Sequence, residues 1–156
     1  MIRSLVVALL ISASAVFATE PPNDLALARA EITPLFAEMQ AAANAHDTDR
    51  HLSFYAHEPS LIFVINNQQI TGWEALRDKQ RQWWNDGKTD AVYTQVGEAE
   101  YSMLCPGYVL ATYFLTSRRT LPTGEVRSTG FGITAIWNKR HEGWRIIYAH
   151  EATVQK

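Results

Sequence analysis

Two long β-rich runs joined by a short polar turn end the chain, and they constrain the fold more than any other feature. The turn, residues 141–143, closes on a glycine and is typical of a β-hairpin. Because side chains alternate along a strand, one face of the second run carries Trp144, Ile146, Tyr148 and His150. We expect this face to pass from packed core into the wall of a cavity. A His150 that caps the core through one hydrogen bond is the alternative.

Further strand patterns precede this hairpin. An apolar run over residues 61–65 turns at Asn66-Asn67 into a second short strand over 68–71. Three long strand patterns follow, over residues 91–101, 108–120 and 127–140.

Helical spacing of apolar residues predicts three helices, over about residues 24–43, 47–55 and 73–84. Asn23 or Asp24 would cap the first helix and Asp47 the second, whereas Pro34 should kink the first helix or mark its true start. This order predicts an α+β fold, with the helices on one face of a curved antiparallel sheet.

The first 18 residues have the pattern of a secretory signal peptide. Arg3 supplies a positive charge, an apolar stretch follows over residues 5–11, and Val16-Phe17-Ala18 is a small-x-Ala cleavage site. We therefore expect a leader over residues 1–18, one domain over residues 19–156, and a periplasmic or secreted protein.

Composition excludes several classes of function. The 14 basic and 16 acidic residues give a net charge of −2, or −3 without Arg3, and no clustered basic face predicts nucleic-acid binding. Cys105 is the single cysteine, so no intramolecular disulfide is possible. The sequence has no Cys/His metal spacing, phosphate-binding glycine loop or nucleophile elbow. We expect neither a metal nor a cofactor, and no membrane association after cleavage.

Four segments occur in an order that resembles the NTF2-like superfamily, and within it the SnoaL-like and DUF4440-type ketosteroid isomerase homologues. They are Ala45-His46-Asp47, Phe54-Tyr55-Ala56-His57-Glu58, Ile70–Leu76, and Gly143–Ile147 with His150. The resemblance implies a cone-shaped domain in which a curved sheet wraps about three N-terminal helices and encloses an apolar cavity. It also implies a homodimer formed through the outer face of the sheet.

The resemblance argues against the isomerase mechanism. At the positions implied for the general-base Asp and the oxyanion-binding Tyr, this sequence has Phe63 and Met39. Phe63 cannot accept a proton and Met39 cannot donate a hydrogen bond. His150 is then the candidate catalytic residue at a matching position.

The aromatic side chains predicted to bind a ligand, together with His150, come from helices and strands alike: Tyr55, Phe63, Trp83, Trp84, Tyr113, Tyr148 and His150. One of Trp83 and Trp84 should face the cavity. His46 and His51 are predicted at the solvated surface.

Three functions fit these observations. The first is an exported domain that binds a small, largely apolar molecule in an aromatic cavity. The second is a lyase or isomerase that uses His150 as acid or base on a hydrophobic carbonyl substrate. The third is a non-catalytic dimeric interaction domain.

The leader gives a direct test. Small residues flank the end of the apolar stretch only at Ala18, so the mature protein should begin at Thr19. Intact-mass measurement of the periplasmic fraction checks this, and an unprocessed cytosolic chain would contradict the export prediction.

Overall fold

The structure, a computed structural model, describes residues 24–154. The predicted leader and Asn23, one of the proposed caps, lie outside this range. The helices are α1 (Asp24–Asn44), α2 (Thr48–Leu52) and α3 (Trp73–Trp83). The strands are β1 (Ile62–Ile65), β2 (Gln68–Thr71), β3 (Val92–Cys105), β4 (Tyr108–Thr120), β5 (Val126–Arg140) and β6 (Gly143–Val154). The predicted α+β architecture is confirmed. No described helix is long and apolar enough to cross a membrane.

The long helix α1 buries one apolar stripe against the concave face of the sheet. Ile32, Phe36 and Met39 lie on this stripe, and each is less than one-tenth exposed. Pro34 is on the exposed side inside the helix, so it does not mark the helix start. Its ring removes one backbone donor, which the continuing helix tolerates because the buried stripe holds both halves in place.

Helix α2 is capped as predicted but is shorter than predicted. Asp47 accepts a hydrogen bond from the backbone N–H of Arg50 at 3.1 Å. The helix ends at Leu52 rather than Tyr55 because the next residues pair with β6. The N–H of Ala56 donates to the carbonyl of Ile146 at 2.8 Å, and the N–H of Ile146 donates to the carbonyl of Phe54 at 2.9 Å.

The six strands form one sheet in the order β2-β1-β6-β5-β4-β3. Neighbouring strands are antiparallel except for β1 and β6, which run parallel. The sheet is therefore mixed, where the sequence predicted a wholly antiparallel one. The parallel pair joins β1, the first strand of the chain, to β6, the last.

A β-bulge in β6 reverses the predicted alternation. Trp137 of β5 is opposite Ile146, and its neighbour Ile136 is opposite Tyr148, so Ile147 has no partner. Beyond this extra residue the inward positions are Ala149, which is fully buried, and Glu151.

His150 is exposed on the outer face, and Tyr148 precedes it there. The expectation that Tyr148 and His150 line the cavity is therefore wrong. The bulge lies where the bonding partner of β6 changes, from the segment 54–56 to β1.

Candidate functional site

A cavity of about 840 Å³ lies between the helices and the concave face of the sheet. Its inner wall is formed by buried side chains, among them Phe36, Met39, Tyr55, Tyr113 and Ile133. We call the part of the cavity that is lined by exposed side chains its mouth. These side chains are Asn66, Gln82, Thr116, Arg119, Arg127 and Ser128. The cavity thus runs from an interior lined by buried side chains to solvent at the β4–β5 end of the sheet.

Both tryptophans at the end of α3 line the cavity, where the sequence predicted one. Trp84 is buried, and its indole N–H donates to the hydroxyl of Tyr93 at 2.9 Å. Trp83 is half-buried, with its ring centroid 5.9 Å from that of Phe63. The helix ends at Trp83, so the following residue turns inward from the cap position instead of continuing the helical face.

Phe63 supports the cavity wall from behind. It is 3 % exposed, lies between the rings of Tyr55 and Trp83, and is not among the cavity-lining side chains. Of the seven side chains predicted for ligand binding, Tyr55, Trp83, Trp84 and Tyr113 line the cavity. Their role in binding stays a prediction.

His51 lines the cavity, although the sequence predicted it at the surface. Its ring packs against Tyr55 and Trp84, with centroid distances of 5.9 and 5.2 Å. Burial lowers the pKa of His51 to about 4, so the ring is neutral at pH 7. Its Nδ1 lies 3.2 Å from the carbonyl oxygen of Met39, which can only accept. Nδ1 therefore carries the proton, and Nε2 is left as an acceptor.

Among residues 24–154, Glu151 is the one carboxyl group in the cavity lining. It lies opposite Ile65 of β1 and Ile133 of β5, and it has no hydrogen-bond or ion-pair partner among the described residues. Burial raises the pKa of Glu151 from 4.5 to about 7. Strict alternation along the strand put this residue on the outer face, so the sequence pattern did not indicate it.

Two phenol groups share the inner wall with this carboxyl group. Burial, and then the charge of Glu151, raise the pKa of Tyr55. Burial, and then the charges of Tyr55 and Glu151, raise the pKa of Tyr113, so both rings lie within the electrostatic reach of Glu151. Neither hydroxyl has a hydrogen-bond partner in the described chain. A buried tyrosine hydroxyl normally finds one, so these two groups are available to a ligand or to water in the cavity.

The inner wall can therefore give and take hydrogen bonds inside an aromatic surface. Near neutral pH, Glu151 exists in both protonation states, which lets it donate or accept a proton. His51 offers an acceptor and the two tyrosines offer donors. No group of His, Cys, Asp and Glu in residues 24–154 is arranged to hold a metal ion.

Comparison with solved structures identifies the fold. No protein-family model and no curated protein matches the sequence. An NTF2-like superfamily protein from Salmonella enterica superposes with a TM-score of 0.72 at 16 % identity, covering 83 % of this chain and 93 % of the other. The chain has the NTF2-like fold.

Two further solved structures show how varied proteins with the NTF2-like fold are. A ketosteroid isomerase-like protein from Erwinia carotovora has a TM-score of 0.67 at 14 % identity, over 86 % of this chain and 99 % of that one. The association domain of C. elegans CaMKII has a TM-score of 0.66 at 13 % identity, over 83 % and 98 %. At these identities the likeness is one of fold, and function must be argued from the site.

The buried carboxyl group gives a pH-dependent prediction. Because the pKa of Glu151 is raised, the folded state keeps a proton that the unfolded state loses between pH 4.5 and about 7, and stability falls as pH rises through that window. Glu151→Gln resembles the protonated form at every pH. It should stabilise the protein by about 1–3 kcal/mol at pH 8 and hardly at all at pH 4.

Chemical denaturation at the two pH values measures this difference. Glu100→Gln is the control, since Glu100 is exposed on β3. An equal effect of Glu151→Gln at both pH values would mean that the carboxyl group is solvated rather than enclosed.

Proposed function

We propose that this protein binds a small, largely apolar molecule that carries at least one hydrogen-bonding group. The observation that carries the proposal is a cavity of about 840 Å³ whose aromatic wall holds Glu151, Tyr55 and Tyr113 without partners in the described chain. Cavities of about 300–1,000 Å³ are typical of small-molecule sites.

The chemistry of the wall supports a ligand rather than a merely filled core. Glu151, which is half-buried, and the hydroxyl groups of Tyr55 and Tyr113 face one space, and none of them has a hydrogen-bond partner among the described residues. A bound molecule that pairs with them would add hydrogen bonds that the described residues do not supply. Water can also satisfy them, but water would leave the aromatic side chains wet.

The rival enzyme hypothesis loses the residue on which it rested. His150 is exposed on the outer face, away from the cavity. Glu151 could exchange a proton with a bound molecule, but the position implied for the oxyanion-binding Tyr is Met39, which lines the cavity and cannot donate a hydrogen bond. Binding is thus the function that the residues present support best.

We also propose that the protein works in the periplasm or outside the cell. The proposal rests on the leader pattern of residues 1–18. A cavity whose mouth is exposed to solvent is consistent with a site that binds solutes outside the cytoplasm.

The binding proposal can be tested with the neutral fluorescent probe N-phenyl-1-naphthylamine. Saturable binding is expected, with energy transfer from Trp83 and Trp84 because both line the cavity. Leu115→Trp, which adds bulk to the cavity wall, should weaken binding by roughly tenfold or more by filling the space the probe needs.

Phe114→Trp is the matched control, because Phe114 is next to Leu115 in the chain, is 51 % exposed and lies outside the cavity lining. It should leave probe affinity unchanged, and circular dichroism checks that both variants fold. If the wild-type protein gives no saturable signal or energy transfer, the binding proposal is wrong.

A second proposal concerns the outer face of the sheet, which we infer to bind a second copy of this chain. Val96, Phe114, Gly132 and Ala152 lie opposite one another in register on four neighbouring strands. Val96 and Phe114 are each 51 % exposed, and the Phe114 ring lies over Gly132. An exposed apolar row of this kind can be self-complementary across a two-fold axis. The likeness to a domain named for association adds support.

Light scattering coupled to size exclusion tests the dimer. The wild-type protein should have twice the mass of the chain, and Phe114→Glu should reduce it to the monomer mass by placing like charges across the interface. Leu27→Glu is the control, since Leu27 is half-exposed on α1. A monomeric wild-type protein, or a dimer that persists in Phe114→Glu, would rule out this interface.

A further inference from the structure

We propose that the molecule bound in the cavity is an organic anion, with its charged group held at the mouth by Arg119 and Arg127 and its apolar body inside. The inference rests on the proposed binding function and adds the chemical class of the ligand, for which we name a carboxylate on a largely apolar skeleton. Both guanidinium-bearing side chains line the cavity, Arg119 from β4 and Arg127 from β5.

The inward side chains of β4 and β5 form four successive pairs along the cavity wall. From the mouth inward, the register pairs are Arg119 with Arg127, Ser117 with Thr129, Leu115 with Phe131, and Tyr113 with Ile133. From the mouth inward, the paired side chains are thus first charged, then hydroxyl-bearing, then hydrocarbon. The phenol of Tyr113 follows at the inner wall. Each step is two residues, or about 6–7 Å. A molecule with an anionic end and an apolar body about 13 Å long matches the first three pairs.

The outermost pair is unfavourable unless an anion joins it. Arg119 and Arg127 lie directly opposite each other, and like charges in that position destabilise a sheet. Neither has a hydrogen bond or ion pair with any described residue. Hydrogen bonds with Thr120, and to a smaller extent the charge of Arg119, lower the pKa of Asp90, whose oxygens accept from the N–H of Thr120 at 2.9 and 3.2 Å. Asp90 is thus already engaged, and it forms no ion pair with either arginine.

The opposite end of the cavity fixes the orientation of the bound anion. Glu151 lies opposite Ile133, six residues along β5 from Arg127, which is about 20 Å of extended strand. Glu151 forms no ion pair with either arginine, so it does not neutralise them directly. A carboxylate beside Glu151 would meet either a like charge or a group that is already neutral. The anionic end is thus favoured only at the mouth.

Two probes with the same ring system separate this inference from the binding proposal. N-phenyl-1-naphthylamine is neutral, and 8-anilino-1-naphthalenesulfonate adds one sulfonate, which stands in for the carboxylate. The wild-type protein should bind the anionic probe roughly five- to tenfold more tightly at low salt, the size expected for two partly exposed charge-assisted contacts. Raising the salt concentration should erase this advantage and leave the neutral probe unaffected.

The double variant Arg119→Gln/Arg127→Gln should lose the preference for the anionic probe and keep its affinity for the neutral one. Arg118→Gln is the matched control, because Arg118 is exposed next to Arg119 and outside the cavity lining. Removing the like-charge pair should also leave the melting temperature of the double variant at or above that of the wild-type protein, so a loss of folding cannot imitate the result.

Two other outcomes are decisive. If the neutral probe binds while the anionic probe binds no more tightly, or keeps its advantage in the double variant, the anion inference is overturned and the binding proposal stands. If neither probe binds, both are overturned.

Discussion

The extra residue in β6 is the constraint on which the site depends. Ile147 has no partner on β5, so every side chain after it lies on the face opposite to the one that strict alternation predicts. Without the bulge, His150 would face the cavity and Glu151 the outer surface. The bulge is held from the other edge, where Ile146 bonds to the segment 54–56 and Tyr148 pairs with Ile62 of β1. Segment 54–56 and β1 do not form one continuous strand. The alternation of β6 therefore shifts at the point where it passes from the first partner to the second.

The same junction gathers polar groups at the inner end of the cavity. Tyr55 belongs to the segment that bonds Ile146, so the tyrosine and Glu151 are positioned by one stretch of backbone. His51, one turn earlier, is enclosed by Tyr55 and Trp84. The shifted pKa values make His51 neutral above about pH 4 and Glu151 neutral below about pH 7. An inner wall without net charge over this range accommodates an apolar body while keeping hydrogen-bonding capacity.

Local signals predicted most of the fold, and longer-range contacts decided what the sequence analysis missed. The Asp47 cap, the turn at Asn66-Asn67 and the strand bounds of β4 follow from neighbouring residues, and the structure has all three. The bulge depends on which strands meet β6, which alternation along a single strand cannot report. His51 was predicted at the surface from helical spacing, but α2 ends at Leu52 and the ring turns under Trp84. The structure therefore has a cavity with Glu151 where His150 was expected, and the binding of a ligand in it stays a prediction.

Strand β4 connects the two surfaces for which we propose roles. Its odd-numbered residues line the cavity, from Tyr113 at the inner wall to Arg119 at the mouth, and its even-numbered residue Phe114 lies in the outer apolar row. One register therefore sets both surfaces, so a slip of one residue would put Phe114 in the cavity and Arg119 on the outer face. The pairing of β4 with β5 runs without interruption over thirteen residues, whereas β3 and β6 both contain shifts. The regular ladder keeps the charged pair at the mouth, and the bulged neighbours adapt around it.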